Sequence, residues 1–304
     1  MARRTRSVDT AAALARANLY RFLSAALLAP DDARFGVLYD AGFRRVVTAA
    51  ADWLGADTAF QPDSFGPGEL EPAELRAGHL VTVAERVDLA PTSHRPSAAG
   101  AGRHAPNGDE KCGLVDASVK TFGHSVSKDC PPYETEYCTN RDITFRSQRL
   151  ADIAGFYRAF GLDRAEGARE RVDHLSFEAE FMQIVIAREI FALDRALGAD
   201  KLEVCRSAQR RFFVEHLGWW LPAFGSSLEE HGATAFYRRV GRFVRAFVAV
   251  ERAALGVPPF TELPTAWPDD YEPEGACFSC GLGGESGLGA TGPADAGLRL
   301  PDSP

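Results

Sequence analysis

Asp173-His174-Leu175-Ser176-Phe177-Glu178-Ala179-Glu180-Phe181-Met182-Gln183-Ile184-Val185-Ile186 is a segment in which apolar residues recur at helical spacing. From Asp173 to about Leu197, the side chains of Leu175, Phe177, Phe181, Met182, Ile184, Val185, Ile186, Ile190 and Phe191 cover most of a helical circumference. A surface helix needs only one apolar stripe, so that breadth marks a central helix surrounded by others. Its neighbours in sequence show the same period. Phe145 to Phe160 carries Leu150, Ile153, Phe156, Tyr157 and Phe160 on one side, with Gly161 placed as a C-cap. Lys201 to Leu221 and Thr234 to Leu255 follow. Upstream, helices are expected over about Asp9–Leu28, stopped by Pro30, over Phe35–Leu54, and from Pro72 to about Val87. Ala13, Ala17, Tyr20, Ser24 and Leu27 share a face of the first. No run alternates with period two, so strands are not needed. The expected architecture is all-α, a single helical bundle.

Two stretches break the pattern. Leu89 to Lys111 is Pro, Gly, Ser, Ala and His with almost no large apolar residue. It cannot bury enough surface to offset its ordering entropy and reads as a mobile insertion before a short helix, about Leu114–Phe122. From Gly256 the chain turns rich in Pro and Gly. Residues 1–266 therefore read as the helical domain and 267–304 as a disordered tail.

At 304 residues the chain can bury a sizeable core, and a formal charge of −8 argues against a general affinity for nucleic acid. Arg3, Arg4 and Arg6 superficially suggest an export signal, but Arg16, Asn18 and Arg21 interrupt any apolar run behind them. No stretch approaches the roughly 20 apolar residues of a membrane span. A cytoplasmic location without membrane insertion is expected. Six cysteines do not make a disulfide scaffold in a chain this size. Cys277-Phe278-Ser279-Cys280 has CxxC spacing without a second pair of ligands for zinc.

Chemistry is concentrated in two places. Cys130-Pro131-Pro132-Tyr133-Glu134-Thr135-Glu136-Tyr137 is a loop stiffened by two prolines that presents two carboxylates and two tyrosines. It reads either as a binding loop or as a surface connector. In the second, Asp173 is placed to cap the helix, and His174 and Glu178 lie one turn apart. Glu178 falls among core positions and needs a partner, which His174 or an arginine would supply. The residues read either as part of a groove or as a cap and a buried pair. His174 and Glu178 would give a metal only two ligands, and no Glu-x-x-His pair, His-Glu-x-x-His, GxSxG or Walker A pattern occurs. Arg238, Arg242 and Arg245 read as a solvated outer face, and Trp219-Trp220-Leu221-Pro222 as core plus helix termination.

These segments, with Ala17-Asn18-Leu19-Tyr20-Arg21-Phe22-Leu23-Ser24, Phe122-Gly123-His124, Gly155-Phe156-Tyr157-Arg158-Ala159-Phe160-Gly161-Leu162 and Phe212-Phe213-Val214-Glu215-His216-Leu217, resemble the TorD/DmsD/NarJ family in content and order. The resemblance runs from about Asn18 to Leu255. The Leu89–Lys111 insertion and the long tail depart from it. It implies an all-α chaperone, not an enzyme, whose partner is the catalytic subunit of a molybdenum oxidoreductase of the DMSO reductase type. The client is bound at its twin-arginine signal peptide or, as in NarJ-type members, at another region. The resemblance implies no stoichiometric cofactor in the chaperone itself, which acts alongside delivery of the molybdenum cofactor, molybdopterin guanine dinucleotide, to the client. The residues matching Asp173 and His174 are the ones the family associates with the signal peptide. With them, Glu134, Glu136 and Glu178 are expected to face arginines, and Pro132, Tyr133, Tyr137 and Leu175 to support or line the apolar part. The competing class is a metal-dependent enzyme on a helical bundle.

Overall fold

The helix at the centre is α5, Leu175–Asp194. Elements are numbered in chain order: α1 Ala2–Ala26, α2 Ala41–Ala56, α3 Gly108–Phe122, α4 Ile143–Ala159, β1 Asp163–Arg164, α5, α6 Ala199–Phe212, α7 Leu221–His231, α8 Ala235–Ala254 and β2 Leu298–Arg299. The computed structural model describes residues 2–75, 108–123, 126–140, 142–165, 167–266 and 298–299. Among them the fold is an all-α bundle, with one two-stranded ribbon.

Phe181 shows why α5 is central. It is fully buried and meets the rings of Phe156, Tyr157 and Phe160 from α4 and its end, and Phe212 from α6, at 4.5–6.3 Å. Truncating such a side chain to alanine costs about 3–5 kcal/mol, because the cavity cannot fully collapse. α1 and α6 cover other faces of α5, α2 lies on α1, and α7 packs on α8. α5 is exposed only in its C-terminal half, at Ala187, Arg188, Phe191 and Asp194. The apolar face expected of α1 is buried at Ala13, Ala17, Tyr20, Ser24 and Leu27. A buried network ties the helices end to end. Arg16 forks onto Glu251 at 2.6 and 2.7 Å and reaches Gln209, which donates to Glu189.

Several boundaries differ from the sequence expectation. The expected Phe35–Leu54 helix is a 3-10 turn, Ala33–Tyr39, followed by α2, because the Asp40 side chain accepts from Phe43 N and starts a new helix. α3 begins at Gly108, so residues 108–111 are helix and not insertion. Pro72 opens a 3-10 turn, Pro72–Leu75, and the rest of the helix expected to about Val87 lies outside the described residues. The expected Lys201–Leu221 helix ends at Phe212 and passes through a π-helical turn, Phe213–Leu217. Pro222 then sits at the start of α7 rather than terminating a helix, since a proline in the first turn lacks only an N–H that would have no partner. α7 and α8 approach closely at glycines. A Cβ on Gly241 would stand 2.5 Å from Gly225 O and Glu229 N.

The arginine face of α8 is also engaged. Arg242 binds Glu74 and Glu229, Arg245 binds Glu229 and Gly68 O, and Arg238 binds Gly232 O. These side chains clamp neighbouring segments instead of standing free in solvent. Within the segment read as a tail, residues 298–299 pair antiparallel with β1. Residues 89–107, 267–297 and 300–304, including Cys277 and Cys280, lie outside the described residues. No helix among the described residues is long and apolar enough to cross a membrane.

Candidate functional site

The proline loop and the start of α5 are stitched together by backbone. Glu134 N donates to Asp173 O at 3.1 Å and Leu175 N to Pro132 O at 2.9 Å, an antiparallel bridge centred on Tyr133 and His174. Two prolines leave the loop few donors and a fixed path, so it lies against the helix entry as a single short strand would. The whole run from Pro131 to Cys138 is buried.

All nine residues singled out in the sequence converge here, and most of their polar groups are satisfied within the chain. Asp173 accepts from Arg171 Nε and Nη2, both at 2.9 Å, and from Thr135 N and Oγ1 at 3.2 and 2.7 Å. Burial would raise its pKa, but the Arg171 fork and the Thr135 donors outweigh it and hold the carboxyl below its ordinary value. Glu136 binds Arg146 at 2.5 Å and Arg171 at 3.0 Å. Glu134, fully buried, binds Arg149 at 2.6 Å and His216 Nδ1 at 3.2 Å. Arg171 also lies 4.2 Å from the Tyr133 ring centroid. These three arginines are the partners that sequence reasoning did not assign. The signal was present: buried carboxylates require counter-charges, and Arg146, Arg149 and Arg171 are cations near them in sequence.

His174, not Asp173, caps α5. Its Nδ1 accepts from Ser176 N at 3.1 Å, while the side chain of Asp173 turns back to the loop. The expected His174–Glu178 pair is therefore not made. Burial pushes the imidazole down to about 4, against the opposing pull of Glu170 and Asp173, so it is neutral at neutral pH. Glu178 is fully buried, and neither of its oxygens meets a donor. Burial first, and the Glu134 charge second, hold it well above the carboxylate range. Both effects favour the protonated form of the carboxyl. Leu175 is core, and Tyr137 tilts against Trp220 with ring centroids 5.1 Å apart. Burial pushes the Cys130 thiol up to about 12 and that of Cys138 to about 11, which keeps both unreactive near neutral pH.

One side of this cluster opens to a cavity of about 470 Å³. Pro132, Tyr133 and His174 form one wall, Leu27, Val115, Val119 and Phe122 another, and Asp31, Arg169 and Glu170 the rim. Glu170 Oε2 accepts from the Tyr133 hydroxyl and lies 4.0 Å from His174 Nε2. Arg169 pairs with Asp31 at 3.1 Å, both side chains largely exposed. Asp31 and Glu170 carried no sequence signal, because the rim exists only where the end of α1, α3 and the loop before α5 meet. Among the described residues no group of three or more His, Cys, Asp or Glu side chains is placed to hold a metal.

Residues 115–226, which include both motif segments, match the family model described as nitrate reductase delta subunit. The chain is 32% identical over 120 residues to the chlorate reductase assembly chaperone protein of Ideonella dechloratans, covering 40% of this chain and 60% of that protein. It is 32% identical over 117 residues to the selenate reductase assembly chaperone protein of Thauera selenatis, covering 38% and 58%. It is 33% identical over 88 residues to the perchlorate reductase assembly chaperone protein of Dechloromonas aromatica (strain RCB), covering 29% and 38%. The chain thus spans three fifths or less of the length of these relatives. No solved structure matches.

Proposed function

We propose that this chain, whose residues 115–226 match the family model described as nitrate reductase delta subunit and which is similar to reductase assembly chaperones, is itself such a chaperone. Its client is the apo catalytic subunit of a molybdenum oxidoreductase of the DMSO reductase type. The chaperone binds it in the cytoplasm and holds it for insertion of the molybdenum cofactor. It acts by binding and carries out no bond-breaking step of its own.

The observation that supports a docking position is the cavity beside Tyr133 and His174. A twin-arginine signal peptide offers guanidinium groups followed by apolar residues. The rim carboxylates Asp31 and Glu170 suit the first, and the wall of Leu27, Val115, Val119 and Phe122 suits the second. The exposed Asp31–Arg169 pair is worth about 0–1 kcal/mol, so an incoming arginine can replace Arg169 at little cost. Displacing Arg149 from Glu134, or Arg171 from Asp173, would instead strip a buried carboxylate of its partner. Glu134, Glu136, Tyr137, Asp173, Leu175 and Glu178 thus serve the site from beneath, by fixing the wall that Pro132, Tyr133 and His174 present.

A second reading, which the resemblance to the TorD/DmsD/NarJ family carries, is a factor that engages a region of the client other than a leader. Affinity purification from the native organism, with the client expressed with and without its leader, tests both. Recovery of a large molybdoenzyme subunit only when the leader is present supports the first reading. Recovery in both cases supports the second, and recovery in neither refutes the chaperone assignment.

A further inference from the structure

Residues 298 and 299 return from far along the chain to pair with β1, Asp163 opposite Arg299 and Arg164 opposite Leu298. Two residue pairs, with Asp163 and Arg164 exposed, make a weak ribbon on their own. Two further contacts make this seat specific. Leu298 is half-buried against the core, and its N–H donates to Glu180 Oε2 at 3.3 Å. The edge thus offers an extended segment three things: strand pairing, an apolar seat and a carboxylate aimed at a backbone donor. The register also sets an arginine opposite an aspartate.

The seat is continuous with the cavity rim. Arg164 donates to Ala168 O at 3.1 Å and Glu170 O at 2.9 Å, so β1 holds the loop that carries Glu170. Glu180 also accepts from Arg34, which binds Asp32 beside Asp31. We propose that the β1 edge with Glu180 is a docking site for an extended polypeptide segment bearing an apolar residue followed by arginine. The chain's own Leu298–Arg299 fills it in cis as an exchangeable placeholder. Strand addition takes its affinity from main-chain hydrogen bonds and its selectivity from the side-chain seat, and both features are present here. A tethered occupant has an effective concentration on the order of millimolar, so a segment that contacts only this edge is excluded. One that also engages the adjoining rim displaces it.

The test needs no client. A labelled peptide spanning Ala294–Pro304 is titrated by fluorescence anisotropy into the full-length protein and into full-length Leu298→Pro. Proline removes the N–H that Glu180 receives. Binding to L298P about tenfold tighter than to the wild type is expected, because the cis competitor is gone. A peptide carrying L298D should lose that gain. Equal binding to the two proteins, including none to either, overturns the proposal, as does an L298D peptide that binds like its parent.

Discussion

Replacing His174 with asparagine should flatten the acid limb of the stability curve. The imidazole is buried at the N-cap of α5, where burial holds it down to about 4, whereas an unfolded histidine titrates near 6.5. The unfolded chain therefore takes up the proton first. Stability from the neutral ring is fully present above about pH 6.5 and is lost as pH falls toward the folded value. The full difference is about 3 kcal/mol, and about 2 kcal/mol of it falls between about pH 7 and about pH 5. Asparagine is a good N-cap that can still accept from Ser176 N, but it cannot take up a proton. His174→Asn will lose some stability at neutral pH through the missing edge-on contact with Tyr133, whose ring centroid lies 4.9 Å away. The informative quantity is the change with pH. Urea unfolding followed by circular dichroism at the two pH values should give the variant a drop smaller than the wild type's by about 2 kcal/mol. A variant that keeps the whole wild-type drop would show that His174 is not a neutral buried cap.

Glu178→Gln should do the opposite: its folded pKa is raised, so the wild type is progressively penalised as pH rises above the unfolded carboxylate value. The variant should gain on the wild type by up to about 1.4 kcal/mol per pH unit over that range, and a pH-independent difference in urea unfolding would contradict the buried neutral acid. Asp173→Asn should cost about 3 kcal/mol at neutral pH by breaking the buried pair with Arg171. Since the folded Asp173 pKa is depressed, that difference should shrink as pH falls through the folded value and the wild type protonates too. Gly241→Ala should destabilise by about 3 kcal/mol or more, since the new Cβ meets backbone atoms of α7 that cannot move aside singly, and a melting temperature unchanged in calorimetry would refute that packing.

The helical architecture was legible because its signals are local. The apolar circumference of α5, the buried face of α1 and the turn at Gly161 each follow from a few neighbouring residues. Where two local signals competed, the weaker-looking one prevailed. Asp40 restarts a helix inside a continuous apolar pattern, and Pro222 begins one where it was read as an end. The motif residues were also found from sequence, and they do cluster. Their orientation was not legible, because it depends on which arginines the fold delivers to them. Arg146 and Arg149 stand one turn apart on α4, yet nothing in that spacing says that they point at Glu136 and Glu134. Asp31 and Glu170 share a rim only through tertiary approach, and β2 reaches β1 across a long stretch of chain with no pattern of its own.

Calorimetry of the purified protein with the proposed client, an apo catalytic subunit, is the direct test of the docking cavity. The comparison is between wild type and a variant carrying Asp31→Lys and Glu170→Lys, with circular dichroism confirming that the helical content of the two is the same. Reversing both rim charges should weaken binding by tenfold or more, since a hydrogen bond to a charged group contributes about 1.5–3 kcal/mol and the reversed charges also repel incoming arginines. Unchanged affinity in the folded variant would contradict client docking at the rim beside Tyr133 and His174.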